Sequence, residues 1–287
     1  MLGVDIGGTG VRAARVADGA ITSEVARVPL QVRSVGEVVS RVAELHRELG
    51  GTSVGVGMPG FVRQGVVLGS PNFPEFTGVD LAGALRDALG VPVAVGNDAN
   101  AAALGLWRVR GGTEDLVLLT LGTGVGGGVI LEGRPLVGRG GTAAELGHIY
   151  VGGARRCGCG GIGCLETWCG TVGLVAAAAE RGHAVTCGED LVEAAESGEV
   201  WADEVLDAAA EHLGKALVTL VNTFAPDVVA IGGGLTAARA RLMPAVDWLR
   251  RYGVPPSVSR VEVIWEGAVD AFAIVGGAEF AALQARR

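Results

Sequence analysis

Residues 2–19, LGVDIGGTGVRAARVADG, and residues 116–133, LVLLTLGTGVGGGVILEG, carry the pattern that decides the fold. Each begins as a short apolar run and passes through a glycine–threonine turn. Each continues as a second apolar run and closes on an acidic residue followed by glycine. Gly8-Thr9-Gly10-Val11 recurs letter for letter as Gly122-Thr123-Gly124-Val125, and Asp18-Gly19 has its counterpart in Glu132-Gly133, all at one constant offset. Asp-Gly between apolar runs is a hairpin signal. The same strand, turn, strand and turn in register imply a duplicated unit.

Working outward, residues 35–49 place Val35, Val38, Val39, Val42, Leu45 and Leu49 at helical spacing and predict an amphipathic helix. Further strands are predicted at 53–57 and 91–95, with helices near 80–89 and 99–108. After the second copy the chain turns helix-rich, with helices over 167–181, 200–224, 236–251 and 269–286 and strands at 227–231 and 261–265. Alternating strands and helices give an α/β class. The duplication divides the chain into two lobes, with a hinge expected in the charged, glycine-containing stretch RVRGGTE at 108–114.

Composition narrows the function. The 287 residues suffice for a large domain or two lobes. Hydrophobic residues at 49% and charged ones at 19% mark a globular chain, not a disordered one. A formal net charge of -8 offers no general attraction to nucleic acid or anionic membrane, so a bound phosphate must be gripped locally. The start MLGVDIGGT lacks a basic n-region and a cleavage site, and the longest uncharged run, 116–131, is broken by five glycines. We expect a cytoplasmic protein whose five cysteines stay reduced and serve metal binding or chemistry.

The glycine loops have two readings each. Asp5-Ile6-Gly7-Gly8-Thr9 can present backbone N–H groups to a phosphate, with Asp5 holding magnesium through water, or it is a tight hairpin with a structural aspartate. Gly122-x-Gly124-x-x-Gly127 also fits the dinucleotide pattern GxGxxG. That pattern needs a helix directly after its glycines, whereas a short strand and a turn follow here. Gly232-Gly233-Gly234 ends an apolar strand and precedes a helix, which suits an adenosine or phosphate site or a close-packed turn. Asn97-Asp98 stands where a strand enters an alanine-rich helix. Either residue can cap that helix, and Asp98 can instead face a cleft as a general base. Cys157, Cys159 and Cys164 follow His148 closely and form a sound tetrahedral zinc set; a redox pair and a fortuitous cluster are the other readings. A site with four protein ligands is closed, so such a zinc is structural. Glu145 and Glu166 bracket the cluster, either as partners for sugar hydroxyls or as surface glutamates.

Taken together, DIGGT at the start, GMPG at 57–60, GNDANAAALG at 96–105, LGTGVGGGVILEGRPLVGRGG at 121–141, ELGH at 145–148 and CGCGGIGCLE at 157–166 resemble the ROK family of bacterial sugar kinases and related repressors. The resemblance spans nearly the whole chain. It implies an actin-like (ribonuclease H-like), duplicated, two-lobed α/β fold. It also implies a small lobe at 1–110 with the first phosphate loop and the catalytic aspartate, and a large lobe at 111–287 with the second loop, the zinc motif and the adenosine site. The C-terminal helix would pack back on the first lobe. By the same resemblance, ATP phosphates would lie at Gly7, Gly8, Thr9, Gly122, Thr123 and Gly124, and adenosine near Gly232 to Gly234. The sugar would meet Asn72, Asn97, Asp98, Glu145, His148 and Glu166, with Asp98 as catalytic base. Zinc would be held by His148, Cys157, Cys159 and Cys164, and magnesium would accompany ATP.

The expected reaction is transfer of the γ-phosphate of ATP to the C6 hydroxyl of glucose or a close analogue, by a homodimer. Rival readings are a kinase for an amino sugar (N-acetylglucosamine, N-acetylmannosamine or a 3-amino hexose), a polyphosphate glucokinase, and an idle sugar-sensing protein. Three departures bear on the sugar and donor sites. Pro71-Asn72-Phe73-Pro74-Glu75-Phe76 stands where family glucokinases often have Asn-Leu and a Trp, Leu106-Trp107 where an acidic residue often follows, and Gly10 where a Lys is frequent. The sequence opens directly on the first motif, without the DNA-binding extension of the repressors, so no nucleic-acid partner is expected.

Overall fold

The computed structural model describes residues 1–267 and 269–285. They form two compact units: Met1–Thr113 with Gly128–Ala144 and the C-terminal helix, and Glu114–Gly127 with residues 145–267.

In the first unit, β1 (Leu2–Gly7) and β2 (Gly10–Ala17) pair antiparallel, and the Gly7–Gly10 pair leaves Gly8 and Thr9 as the connecting turn. β3 (Ala20–Ile21) continues from β2 through Asp18 and Gly19, at φ 51° and 79°. Two successive positive φ values match the twist of a tight hairpin, which is why Asp-Gly marks one. β4 (Ala26–Pro29) joins β2, and α1 (Val35–Leu49) leads to β5 (Val54–Met58), parallel to β1. The hairpin β6 (Phe61–Arg63) and β7 (Val66–Gly69) precedes α2 (Leu81–Leu89). β8 (Val93–Asn97) then lies parallel to β5 and runs into α3 (Asp98–Val109). The sheet order is β3-β2-β1-β5-β8, with β4 on β2.

The second sheet contains β9 (Leu116–Leu121), β10 (Val125–Leu131), β11 (Arg134–Pro135), β12 (Val228–Gly232) and β13 (Glu262–Glu266), in the order β11-β10-β9-β12-β13. β9, β12 and β13 run parallel, as β1, β5 and β8 do. Glu132 and Gly133 repeat the turn of Asp18 and Gly19 at φ 51° and 72°. The sequence repeat is therefore a repeat of sheet topology, strand for strand. Between β11 and β12 lie α4 (Glu166–Cys169), α5 (Thr171–Ala179), α6 (Gly188–Glu196) and α7 (Val200–Phe224). α8 (Arg239–Leu242), α9 (Pro244–Tyr252) and α10 (Pro255–Val258) precede β13, and α11 (Val269–Ala285) follows it.

Several expected elements are altered. The helix expected over 167–181 is interrupted at Gly170, whose ψ of 148° is extended, giving α4 and α5. The helix expected over 236–251 becomes a 3-10 turn at Gly234–Ala238 followed by α8 and α9, with Pro244 opening the last because it cannot sit inside a helix. β4, β6, β7, α6 and α10 were not anticipated. The helix expected over 269–286 runs to Ala285, and residue 286 lies outside the described residues.

α11 belongs to the first unit and packs on α3 and on the first sheet. Residues 273–279 of it are all buried, so the helix is enclosed and not amphipathic. Gly276 makes this possible. A Cβ there would stand 2.5 Å from the Ala101 carbonyl carbon and 2.8 Å from the Gly105 nitrogen, with the Ala101 oxygen nearer still. Among the described residues no helix is long and apolar enough to cross a membrane.

Candidate active site

The junction of β8 and α3 assembles the first group of site residues. Asn97 keeps extended φ and ψ of -69° and 145°, and its Oδ1 accepts the Asn100 N–H at 2.9 Å, so it caps α3. Its Nδ2 donates to the Gly60 carbonyl at 3.1 Å and to Asp98 Oδ1 at 3.1 Å. Asp98 Oδ1 also accepts the Ala99 N–H at 2.9 Å. A carboxylate in a first helical turn is stabilised by the unpaired amides there. Asn97 thus caps α3 and holds the Asp98 carboxylate at one junction, and Gly60 of the Met58-Pro59-Gly60 segment is tied to it.

Asp5 sits near the end of β1, only 4% exposed. Arg12, its register partner on β2, holds Asp5 Oδ2 through Nη2 at 2.5 Å and Nε at 3.0 Å, and its Nη1 pairs with Asp270. Burial pushes the Asp5 carboxyl above its ordinary range, Arg12 opposes that rise, and Asp270 adds to it. Gly7, Gly8 and Thr9 form the end of this hairpin. Asn72 is exposed in the turn after β7. Arg33 bridges these two places, with Nε donating to the Gly8 carbonyl at 2.9 Å and Nη1 to the Asn72 carbonyl at 3.4 Å. Sequence reasoning missed both arginines. Arg12 was within reach, since counting back from the Gly8-Thr9 turn sets it opposite Asp5. Arg33 left no signal, because its partners are backbone carbonyls far along the chain.

In the second unit, the ligand atoms of His148, Cys157, Cys159 and Cys164 all lie within 4.8 Å of one another. Cys159 Sγ and Cys164 Sγ are 3.7 Å apart, and Cys157 Sγ is 3.6 Å from His148 Nδ1. Tetrahedral zinc with sulfur at about 2.3 Å and nitrogen at about 2.0 Å sets such pairs about 3.8 Å and 3.5 Å apart. The donor set and its spacing therefore fit that ion. Burial pushes the Cys157 thiol up to about 12 and raises Cys164, whereas the Gly161 N–H lowers Cys159. A divalent cation would hold all three as thiolates.

Glu166 opens α4 beside this cluster. Cys157 Sγ lies 3.5 Å from its Oε1, and the Val125 N–H donates to its Oε2 at 3.1 Å. The same carboxylate fills the space where a Gly124 side chain would be. Gly122, Thr123 and Gly124 form the turn between β9 and β10. Its carbonyls at Gly122 and Thr123 accept the N–H groups of Thr171 and Val172, at 2.9 and 3.2 Å, at the start of α5. The second glycine loop is thereby buttressed by the chain that follows the cysteine cluster. Glu145 precedes the 3-10 turn Leu146–His148. Partial burial raises its carboxyl, His148 opposes that, and Glu166 adds to it. Gly232 ends β12, and Gly233, at φ 94°, turns the chain into the 3-10 segment starting at Gly234.

Residues 1–281 match the ROK family. The chain belongs to that family. It is 34% identical to a glucokinase of Thermotoga maritima, over 97% of this chain and 96% of that protein. It is 37% identical to a kanosamine kinase of Amycolatopsis mediterranei, over 86% of this chain and 84% of that one. Among solved structures, it aligns with a ROK family glucokinase from Streptomyces griseus in complex with glucose and AMPPNP. The TM-score is 0.79 at 30% identity, covering 99% of each chain. The fold is the actin-like α/β fold of ROK sugar kinases, as the motifs led us to expect.

Proposed function

We propose that this ROK protein is an ATP-dependent hexose kinase that phosphorylates the C6 hydroxyl of glucose or a close analogue. The observation that carries this reading is the Asn97–Asp98 pair at the head of α3, in a chain that matches a glucokinase over nearly its whole length. Asp98 is the general base. It accepts the proton of the sugar hydroxyl as that oxygen attacks the γ-phosphorus, and the electron pair of the breaking bond leaves with ADP. From the first unit, Asn72 and Asn97 join Asp98 in holding the sugar, and Gly7, Gly8 and Thr9 offer N–H groups to the donor's phosphates. Asp5 is assigned to the water shell of the nucleotide's magnesium, with Arg12 fixing its rotamer. From the second unit, Glu145, His148 and Glu166 contribute to the sugar, Gly122, Thr123 and Gly124 to the phosphates, and Gly232 to Gly234 to adenosine.

His148, Cys157, Cys159 and Cys164 would hold a structural zinc, which fixes the loop that carries His148 and ends at Glu166. With Nδ1 turned to the cysteines, His148 keeps Nε2 for a sugar hydroxyl. The lobe boundary we propose remains near residue 110. Five free cysteines suit a reducing compartment, and we place the protein in the cytoplasm as a homodimer.

A second reading, a kinase for an amino hexose, is favoured by the 37% identity to the kanosamine kinase. ADP release measured across hexoses and amino hexoses separates the two. Asp98→Ala is expected to lose nearly all turnover while keeping the wild-type circular dichroism spectrum. Undiminished phosphorylation by that variant would remove Asp98 from the mechanism.

A further inference from the structure

The first phosphate turn carries no lysine, and its neighbour Arg12 is committed to Asp5 and Asp270. Arg33 is placed differently. It is exposed, and among the described residues it forms no ion pair with a carboxylate. A guanidinium has five N–H donors in a fixed plane. The Gly8 and Asn72 carbonyls take two of them, one on Nε and one on Nη1. The remaining Nη1 hydrogen and both Nη2 hydrogens are left for another acceptor. The guanidinium lies against Gly8, where Nη2 is 3.5 Å from the point a side chain would occupy.

The base of this side chain is held firmly. Glu37 in α1 accepts the N–H groups of Gln31 at 2.9 Å and Val32 at 2.6 Å, and Ser34 caps α1 through the Glu37 N–H at 3.2 Å. Those backbone bonds, with Arg41 nearby, keep the Glu37 carboxyl below its ordinary range. The residue before the cap is thus fixed from both sides. A solvent-reaching guanidinium with unspent donors, anchored on a glycine turn and matched by no carboxylate, is a place for a multiply charged oxyanion.

We propose that Arg33 is a phosphate-binding residue of this kinase, taking terminal phosphate oxygens of the nucleotide held at the Gly7–Thr9 turn. Its two carbonyl anchors set it between the phosphate turn and the Asn72 turn assigned to the sugar, where charge gathers on the transferring phosphoryl group. This rests on the kinase reading above. Arg33 adds positive charge to the donor side, moves no proton, and leaves the bond changes as stated there.

The test joins binding to kinetics. Tripolyphosphate affinity is measured by calorimetry on the whole wild-type, Arg33→Gln and Arg33→Lys proteins, and turnover is measured across the sugar panel. Arg33→Gln is expected to lose about 100-fold in kcat and at least about tenfold in tripolyphosphate affinity, with Arg33→Lys recovering part of each. Guanidinium added to Arg33→Ala is expected to restore both activity and tripolyphosphate binding. Equal tripolyphosphate binding by wild type and Arg33→Gln overturns the proposal whatever the panel shows. So does a kcat/KM within about twofold of an active wild type. If wild type phosphorylates no sugar yet Arg33→Gln still weakens tripolyphosphate binding, the kinase reading falls and the anion site stands.

Discussion

Replacing Gly276 with alanine tests how the first unit is closed. The new Cβ would stand 2.5 Å from the Ala101 carbonyl carbon and 2.8 Å from the Gly105 nitrogen. Unbonded carbon atoms rest at about 3.5–4.0 Å, so α11 and α3 must part by about 1 Å or more. Both obstacles are backbone and cannot swing aside. Overpacking a core usually costs about 1–3 kcal/mol, and a backbone clash belongs at or beyond the top of that range. At about 2–4 °C per kcal/mol, the transition of the first unit should fall by about 6–12 °C. The displacement also reaches the site, because Ala101 lies one helical turn beyond Asp98. A shift of about 1 Å in a catalytic group costs about 100-fold in turnover. The assay is thermal unfolding by circular dichroism with sugar-dependent ADP release on the same samples. Gly36→Ala is the control. Gly36 lies on α1, and nothing stands within 4 Å of the point its Cβ would occupy, so alanine there should stabilise by about 0.5 kcal/mol. A Gly276→Ala protein melting within about 2 °C of wild type would refute the close helix contact.

Elemental analysis of the purified protein should find one zinc per chain, and Cys159→Ser, at an exposed position, should lose it without loss of core packing. Retention of full zinc by that variant would remove Cys159 from the ligand set. The Thr186 N–H and hydroxyl, at 2.7 and 2.8 Å, and Cys187 hold the Asp190 carboxyl down at about 2. Because the folded value lies below the ordinary 3.8, its contribution to stability is complete above that pH and is lost as pH falls towards about 2. Acid titration of unfolding should therefore be shallower for Asp190→Asn than for wild type across that window, and identical slopes would count against the contact.

The hairpins were legible where the turn chemistry was standard. Asp18-Gly19 announced itself by residue type and Glu132-Gly133 by its place in the repeat, and both adopt paired positive φ angles. Gln64-Gly65 makes a turn of the same kind at φ 51° and 84° between β6 and β7, but glutamine does not favour that region and gives no warning. Long helices with steady periodicity, such as α1 and α7, were readable. Breaks inside apolar runs were not, because glycine at 170 is tolerated within a helix pattern until tertiary contacts decide its ψ. Pro244 could have been used and was not. The cysteine cluster was legible from residue type and spacing alone. Two sets of contacts were hidden, because they depend on which backbone atoms the fold brings alongside: Glu166 joins Cys157 to Val125 beside the cluster, and in the first unit Arg33 spans Gly8 and Asn72.

The return of α11 to β1, β5 and α3 has a cost in time. A ribosome must translate the whole of the second unit before the segment that completes the first emerges, so the parallel strands laid down at the outset wait with one flank bare. Such distant closure is slow and leaves apolar sheet exposed to other chains. During synthesis, this protein depends on being left undisturbed, or on being shielded, until that late helix arrives.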